Sequence, residues 1–261
     1  MKEIITTVNR RGGVGKTATA HAIGAGLALR GYKILFIDLD SQCNLTFDIG
    51  ANTAPLTSME LLSGTATAEE AIQHTAGGDI IAGSPSLAIA DTTIEGTGKE
   101  YRLKEALEPI AGSYDYIIID TPPALGVLTT NALTACTSAI IPAQAEVHSL
   151  QGIGLLYEAV QAVKKYTNPN LKIKGILLTR YNGRAILSKD MRANLEATAK
   201  ELGTKLFDTP IRECIAIKEA QALQRDIYSY SPRSNAVEDY TALVDEVERG
   251  GAKETIKPAE S

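Results

Sequence analysis

A glycine-rich stretch, Thr7 to His21 (TVNRRGGVGKTATAH), follows directly on the apolar run EIITTV and leads into an alanine-rich segment. Gly12, Gly13 and Gly15 remove side chains where backbone must curl around something, and Val14 sits among them. Lys16 and Thr17 stand at the mouth of the helix that the alanines predict. Strand, glycine loop and helix in this order turn several backbone N–H groups and a helix N-terminus toward one point, which suits a chain of phosphates. A lysine there reaches the β- and γ-phosphates of a nucleotide, and a threonine hydroxyl binds Mg²⁺. A tight strand-to-helix turn with an incidental Gly-Lys-Thr is the alternative. The strict phosphate-loop pattern places a glycine five residues before Gly15, where this chain has Arg10.

Three further acids stand at strand ends. YKILFIDLD reads as a buried parallel strand with Asp38 and Asp40 at its C-terminal end, where open α/β sheets place their ligands. They are either ligand-facing groups or a pair of solvated strand-end acids. YDYIIIDTPP gives a second buried strand ending at Asp120. An aspartate there can accept hydrogen bonds from Mg²⁺-bound water and hold the Thr17 hydroxyl. Thr121-Pro122-Pro123 makes a rigid exit placed to sense a γ-phosphate.

The elements that must position these residues alternate. TTNALTAC, LQGIGLLYEAVQAVKKY, LSKDMRANLEATAKEL and SNAVEDYTALVDEVERGG read as helices, and TSAIIPAQAE and LKIKGILLTRYN as strands. In the second helix Leu155, Leu156, Ala159, Val160 and Val163 form the expected apolar face. KLFDTPIRECIAIKEAQAL gives a short strand, a turn at Pro210 and a helix. Strands alternating with helices predict an α/β fold of three layers, a mostly parallel twisted sheet with helices on both faces. Residues 1–249 form one expected domain, and 250–261 a polar, mobile tail. Residues 51–100 are weakly patterned; TSMELLSG and TAEEAIQH suggest short helices, the latter opened by a Thr67–Glu70 capping box, and DIIAG a short strand.

With 261 residues, 44% of them hydrophobic, the chain supports one α/β core. A net charge of −5 argues against coating nucleic acid with the whole surface. Charge is uneven, however: Lys164, Lys165, Lys172, Lys174, Arg180, Arg184, Lys189 and Arg192 face one acid, Asp190, a local balance of +7. Such a cluster either neutralises a few DNA phosphates or is a solvated face. Cys43, Cys136 and Cys214 are far apart and odd in number, which predicts reduced thiols and no zinc site. MKEIITTV is too soon interrupted by Asn9-Arg10-Arg11 to be a signal peptide, and no apolar run approaches the ~18 residues that cross a bilayer. A soluble cytoplasmic protein is expected.

RGGVGKT resembles the deviant Walker A phosphate loop, KGGVGKT, of the ParA/MinD class of ATPases, and ILFIDLDSQCN resembles that class's VLLIDLDPQGN. The likeness to ParA/Soj partition ATPases extends from Lys2 to about Val247, with IIIDTPPALGVLTTNAL, IPAQAE, the LLTR stretch and IREC-KEAQAL as further landmarks. It implies an ATP- and Mg²⁺-dependent ATPase of weak intrinsic activity that dimerises on ATP, binds DNA non-specifically at the nucleoid, and is stimulated by a ParB-like DNA-binding activator. In that class the motif's first lysine, here Arg11, reaches the partner's nucleotide. Asp40 then orients the attacking water and Asp38 lies near the Mg²⁺ sphere. Ala18 takes the place of a hydroxyl residue that contacts the α-phosphate, Ser41 that of proline and Cys43 that of glycine. Family nucleotides place their base near Arg180, Pro210 and Ile211. Arg184 matches a DNA-contacting arginine; Ala216 stands where another arginine is common, with Arg212 and Lys218 nearby. A MinD-like spatial regulator needs an amphipathic basic terminal helix, and RGGAKETIKPAES has no apolar face. A nucleotide-gated binding module with little hydrolysis is the other reading, because Arg11 replaces the signature lysine.

Overall fold

In the computed structural model, residues 1–183 and 186–251 are described. Seven strands form one sheet: β1 (Glu3–Thr7), β2 (Ile34–Asp38), β3 (Ile72–Thr75), β4 (Gly78–Ile81), β5 (Tyr116–Asp120), β6 (Ser138–Gln144) and β7 (Lys172–Thr179). Their order is β3-β4-β2-β5-β1-β6-β7, and every pairing is parallel except β3 with β4. The first strand therefore lies inside the sheet, with later strands added on both sides. Such a reversal of winding opens a crevice at the C-terminal ends of the central strands.

Strand residues alternate between two cores. Ile4, Leu35, Ile37, Ile117, Ile119 and Ile141 face one layer, which contains the helices Val127–Ala135, Val147–Tyr166 and Ile186–Glu201. Ile5, Phe36, Ile118, Ile140 and Leu177 face the other, formed by the helices Lys16–Ala28, Ile215–Ala222 and Asn235–Gly251. Burial on both faces is why the strands read as continuous apolar runs rather than alternating ones. The helix Lys16–Ala28 presses so closely on β2 that a Cβ on Gly24 would lie 2.2 Å from Phe36 Cε1. This three-layer α/β architecture is the one the alternating pattern predicts.

Three local expectations change. TAEEAIQH is helical only over Ala68–Ala71; Ile72–Thr75 turns back as a strand against Gly78–Ile81. Gln73 exchanges hydrogen bonds with the backbone of Asn52, so pairing at the sheet edge overrides a weak four-residue helix. In the helix Val147–Tyr166 the buried line is Ile153, Leu156, Val160 and Val163, while Leu155 is 43% exposed on the outer face. The last helix runs through Gly251, two residues into the expected tail, 250–261, of which 252–261 lie outside the described residues.

Candidate nucleotide site

The glycine loop joins β1 to the helix Lys16–Ala28, with Gly13 and Gly15 at φ of +74° and +86°. Side chains rarely adopt this left-handed region, and nothing lies within 4 Å of where a Cβ on Gly12 or Gly13 would stand. The loop is held from behind. Gln144 Nε2 donates to Gly13 O (2.8 Å), Thr179 Oγ1 to Val14 O (2.8 Å) and Asn9 Nδ2 to Pro142 O (2.6 Å). Asn9 Oδ1 in turn accepts the Arg11 N–H (3.0 Å). These bonds occupy loop carbonyls and spare the N–H groups of Gly12 to Lys16, the arrangement an anion needs.

Lys16 is 6% exposed; its ammonium donates to Arg11 O (3.2 Å), and burial lowers its pKa against the attraction of Asp120 and Asp40. Thr17 Oγ1 donates to Asp120 Oδ2 (2.6 Å), and Thr7 Oγ1 to Asp120 Oδ1 (3.1 Å). Asp38 and Asp120 are paired neighbours on β2 and β5, and burial, followed by their mutual repulsion on the Asp120 side, raises both carboxyls. Two buried acids with one hydroxyl in front of them form an oxygen donor set that gains from a divalent cation. The residues thus fit Mg²⁺ held by Thr17, with Asp120 behind it.

Asp38 has another task. Its Oδ1 accepts the Asp40 N–H (3.0 Å), and its Oδ2 accepts the N–H and hydroxyl of Thr46 (2.9 and 2.7 Å). Fully buried and bonded at both oxygens, Asp38 anchors the following loop and, like Asp120, does not itself line the cleft. Asp40 does line the cleft, where Oδ1 accepts the Gln42 N–H (3.0 Å). Cys43, at the glycine position of the family, takes a left-handed φ of +54°.

The cleft, about 440 Å³, continues from the loop to a second wall. Arg180, Ile211, Arg212, Cys214, Ile217, Lys218, Gln221 and Tyr240 line it, as does Ala18 at the helix start. The segment carrying Ile211 is strapped along β7 by Ile211 N to Leu178 O (2.8 Å) and Tyr181 N to Ile211 O (3.0 Å). Glu246 accepts the N–H groups of Asp208 and Thr209 (3.1 and 3.0 Å). Arg212 is gripped by Asp239, whose carboxylate accepts from its N–H, Nε and Nη2 at 2.7–3.0 Å, while Glu238 accepts from Nη2 at 3.0 Å. Those bonds hold the guanidinium's pKa above its usual value. Arg212 is therefore tied into the cleft wall by acids of its own chain. Arg180 lines the cleft 3.8 Å from Glu213; Pro210 and Val14 do not line it. Gln42, Asn44, Thr179, Cys214, Ile217, Gln221 and Tyr240 were not candidates from sequence, since only the folding of separate segments, the turn after β2, the end of β7, the helix Ile215–Ala222 and the closing helix, brings them to one cleft.

Arg11 does not line the cleft. Its guanidinium bonds Glu146 of its own chain (2.5 Å), and one nitrogen, Nη1, is buried without a hydrogen-bond partner among the described residues. Lys218 is exposed at the cleft mouth; Arg184 lies outside the described residues. The basic cluster is divided by the fold. Lys174 is buried against Glu3 (2.5 Å), and Arg192 bonds Glu196 (3.4 Å) and the Asp208 carbonyl (3.2 Å).

Residues 2–173 match a family model described as an AAA domain. The sporulation initiation inhibitor protein Soj of Bacillus subtilis is 38% identical over 256 residues, covering 96% of this chain and all of that protein. The chromosome-partitioning ATPase Soj of Thermus thermophilus is 36% identical over 244 residues, 93% of this chain and 94% of its own. Among solved structures, a cobyrinic acid a,c-diamide synthase of Mycobacterium smegmatis with bound ADP and magnesium superposes over the full length of both chains with a TM-score of 0.85 and 31% identity.

Proposed function

Since the chain belongs to the ParA/Soj family of partitioning ATPases and hydrolyses ATP with Mg²⁺, we propose that it segregates DNA through an ATP-bound homodimer that holds DNA without regard to sequence. The observation that carries this reading is the glycine loop, with Lys16 and Thr17 at its end and the Thr17–Asp120 bond beneath it. The phosphates lie against the N–H groups of Gly12 to Lys16, with the Lys16 ammonium exchanging Arg11 O for phosphate oxygen. Thr17, backed by Asp120, would hold Mg²⁺, which would neutralise phosphate charge there. Asp40, with one oxygen spare, accepts a hydrogen bond from the attacking water and orients it toward the γ-phosphorus. The bond from phosphorus to the ADP oxygen breaks as the new one forms. The base rests between the strap at Ile211 and the fixed guanidinium of Arg212.

Arg11 has to leave Glu146 to work in a dimer. There it extends over the partner's phosphates, where a guanidinium makes two parallel hydrogen bonds. Lys218, Lys165 and Arg184 are the candidate DNA contacts, and a ParB-like protein the activator of hydrolysis. No described helix is long and apolar enough to cross a membrane.

Binding of random-sequence duplex DNA tests the proposal. Affinity is expected to require an ATP analogue and to fall linearly on a log–log salt plot, with Arg184→Ala reducing the slope by about 0.9 for each phosphate it no longer neutralises. Equal binding by nucleotide-free protein, or a strong preference for one sequence, contradicts it.

A further inference from the structure

One face of the helix Lys16–Ala28 borders three connected spaces. Ala18 lines the nucleotide cleft; Ala18, His21 and Ala22 line a gap of about 20 Å³, large enough for one water; His21, Ala25 and Ala28 line a groove of about 650 Å³ behind the site. Within this face His21 is the single polar residue, and it is 6% exposed. Its imidazole makes no hydrogen bond among the described residues, the nearest acid being Asp48 at 4.0 Å. Asp48 is 3% exposed; its Oδ2 accepts Gln221 Nε2 (2.7 Å), and its other oxygen has no donor among the described residues. Burial drives the imidazole down to about 4 and the Asp48 carboxyl up to about 6, so each gains from a further polar partner.

The charges facing the groove decide what such a partner is. They are Asp48, Asp226 and Arg225. Arg225 is committed to the Ser229 carbonyl (2.7 Å) and the Tyr230 ring (5.8 Å), and Asp226 Oδ1 to the Ser229 N–H (2.8 Å). Two carboxylates against one guanidinium leave the groove net negative, with an Asp48 oxygen spare beside a neutral imidazole nitrogen, over a floor of Ala25 and Ala28. An anion is repelled here, and a neutral ligand leaves the carboxylate uncompensated. An ammonium group supplies donors to both, and a short methylene chain covers the alanines.

We propose that this groove is a second ligand site, which takes a small aliphatic ammonium compound with its nitrogen between Asp48 and His21 and its carbon chain along Ala25 and Ala28. The site is independent of the dimer and DNA readings.

Titration calorimetry of the full chain with cadaverine tests it, with 1-pentanol as the uncharged comparison. Cadaverine is expected to bind saturably at one site, and 1-pentanol not at all. Ala25→Leu, which fills the groove, and Asp48→Asn, which removes its charge, should each weaken cadaverine at least tenfold while ATP-analogue binding persists. On the wild-type chain, histidine-selective NMR needs no variant: cadaverine should shift the His21 imidazole and leave that of exposed His74 in place. Absence of saturable binding, equal binding by 1-pentanol, unweakened binding to Ala25→Leu, or an unmoved His21 signal overturns the proposal.

Discussion

The two ends of the nucleotide cleft are built by opposite means. At the phosphate end most working groups are consecutive, Gly12 to Thr17, joined by the strand-end acids Asp40 and Asp120, and distant residues such as Gln144 and Thr179 brace their backs. At the base end hardly any neighbouring pair acts together. Arg180 comes from the end of β7, Ile211 and Arg212 from the strap, and Tyr240 from the closing helix, joined by Asp239 and Glu246. A local motif gives the phosphate end charge and backbone donors in fixed order. Long-range polar ties give the base end its shape. Chemistry should therefore fail when the first is damaged, and affinity alone should soften when the second is.

Lys16→Ala is the most severe way to test that contrast. It removes a buried cation from the phosphate end and should abolish measurable ATP binding, a loss of more than ~100-fold, since charge-assisted bonds of this kind contribute about 3 kcal/mol. Wild-type affinity in a titration would show that the loop is a mere turn. Asp40→Ala should separate the steps at the same end: ATP affinity stays within a few-fold, while turnover falls by about 10²–10⁴. Single-turnover hydrolysis reads this directly, and an unchanged rate removes Asp40 from the mechanism.

His21 lies behind the cleft, and its effect appears in stability. Its folded pKa, about 4, is below the ordinary 6.5. The unfolded chain thus takes up a proton first as pH falls, and stability is lost between about 6.5 and 4, by up to about 3 kcal/mol. Asp48, raised to about 6, works in the opposite sense, gaining stability as it is protonated. Denaturant melts of wild type and His21→Gln across that range isolate the histidine: the wild type should lose more on acidification, and parallel curves would contradict it. The smallest effect belongs to the base end. Asp239→Asn weakens the grip on Arg212 and should raise the Kd for ATP a few-fold, about 1 kcal/mol, with kcat unchanged at saturation. A fall in kcat like that of Asp40→Ala would show that the two ends are not separable.

The same contrast explains what the sequence made legible. The sheet, its layers and the loop could be read because their signals are short-range: apolar runs ending in acids, glycines in succession, a Lys-Thr pair opening a helix. Asp38 and Asp120 stand out as strand-end acids, but whether such an acid binds the loop after it or the helix beside it depends on partners far along the chain. Thr46 takes Asp38, and Thr17, 103 residues before it, takes Asp120. Arg212 reads as a free cation until the closing helix brings Asp239 to it, and Lys174 until the sheet sets Glu3 beside it. A charge count along the chain cannot see these pairings. The edge strand β3 was hidden for the same reason, because it is stabilised by its partner β4 rather than by its own residues.

Arg11 provides the most direct measurement of the central claim, that two chains close over ATP. In the single chain its guanidinium is held by Glu146, and the proposed dimer transfers it to the partner's phosphates. Light scattering of wild type and Arg11→Ala with a non-hydrolysable ATP analogue and Mg²⁺ reports the mass of each. The account predicts a dimer for wild type and for Arg11→Lys, and a monomer for Arg11→Ala that still binds the analogue with nearly wild-type affinity. A normal dimer of Arg11→Ala would contradict it.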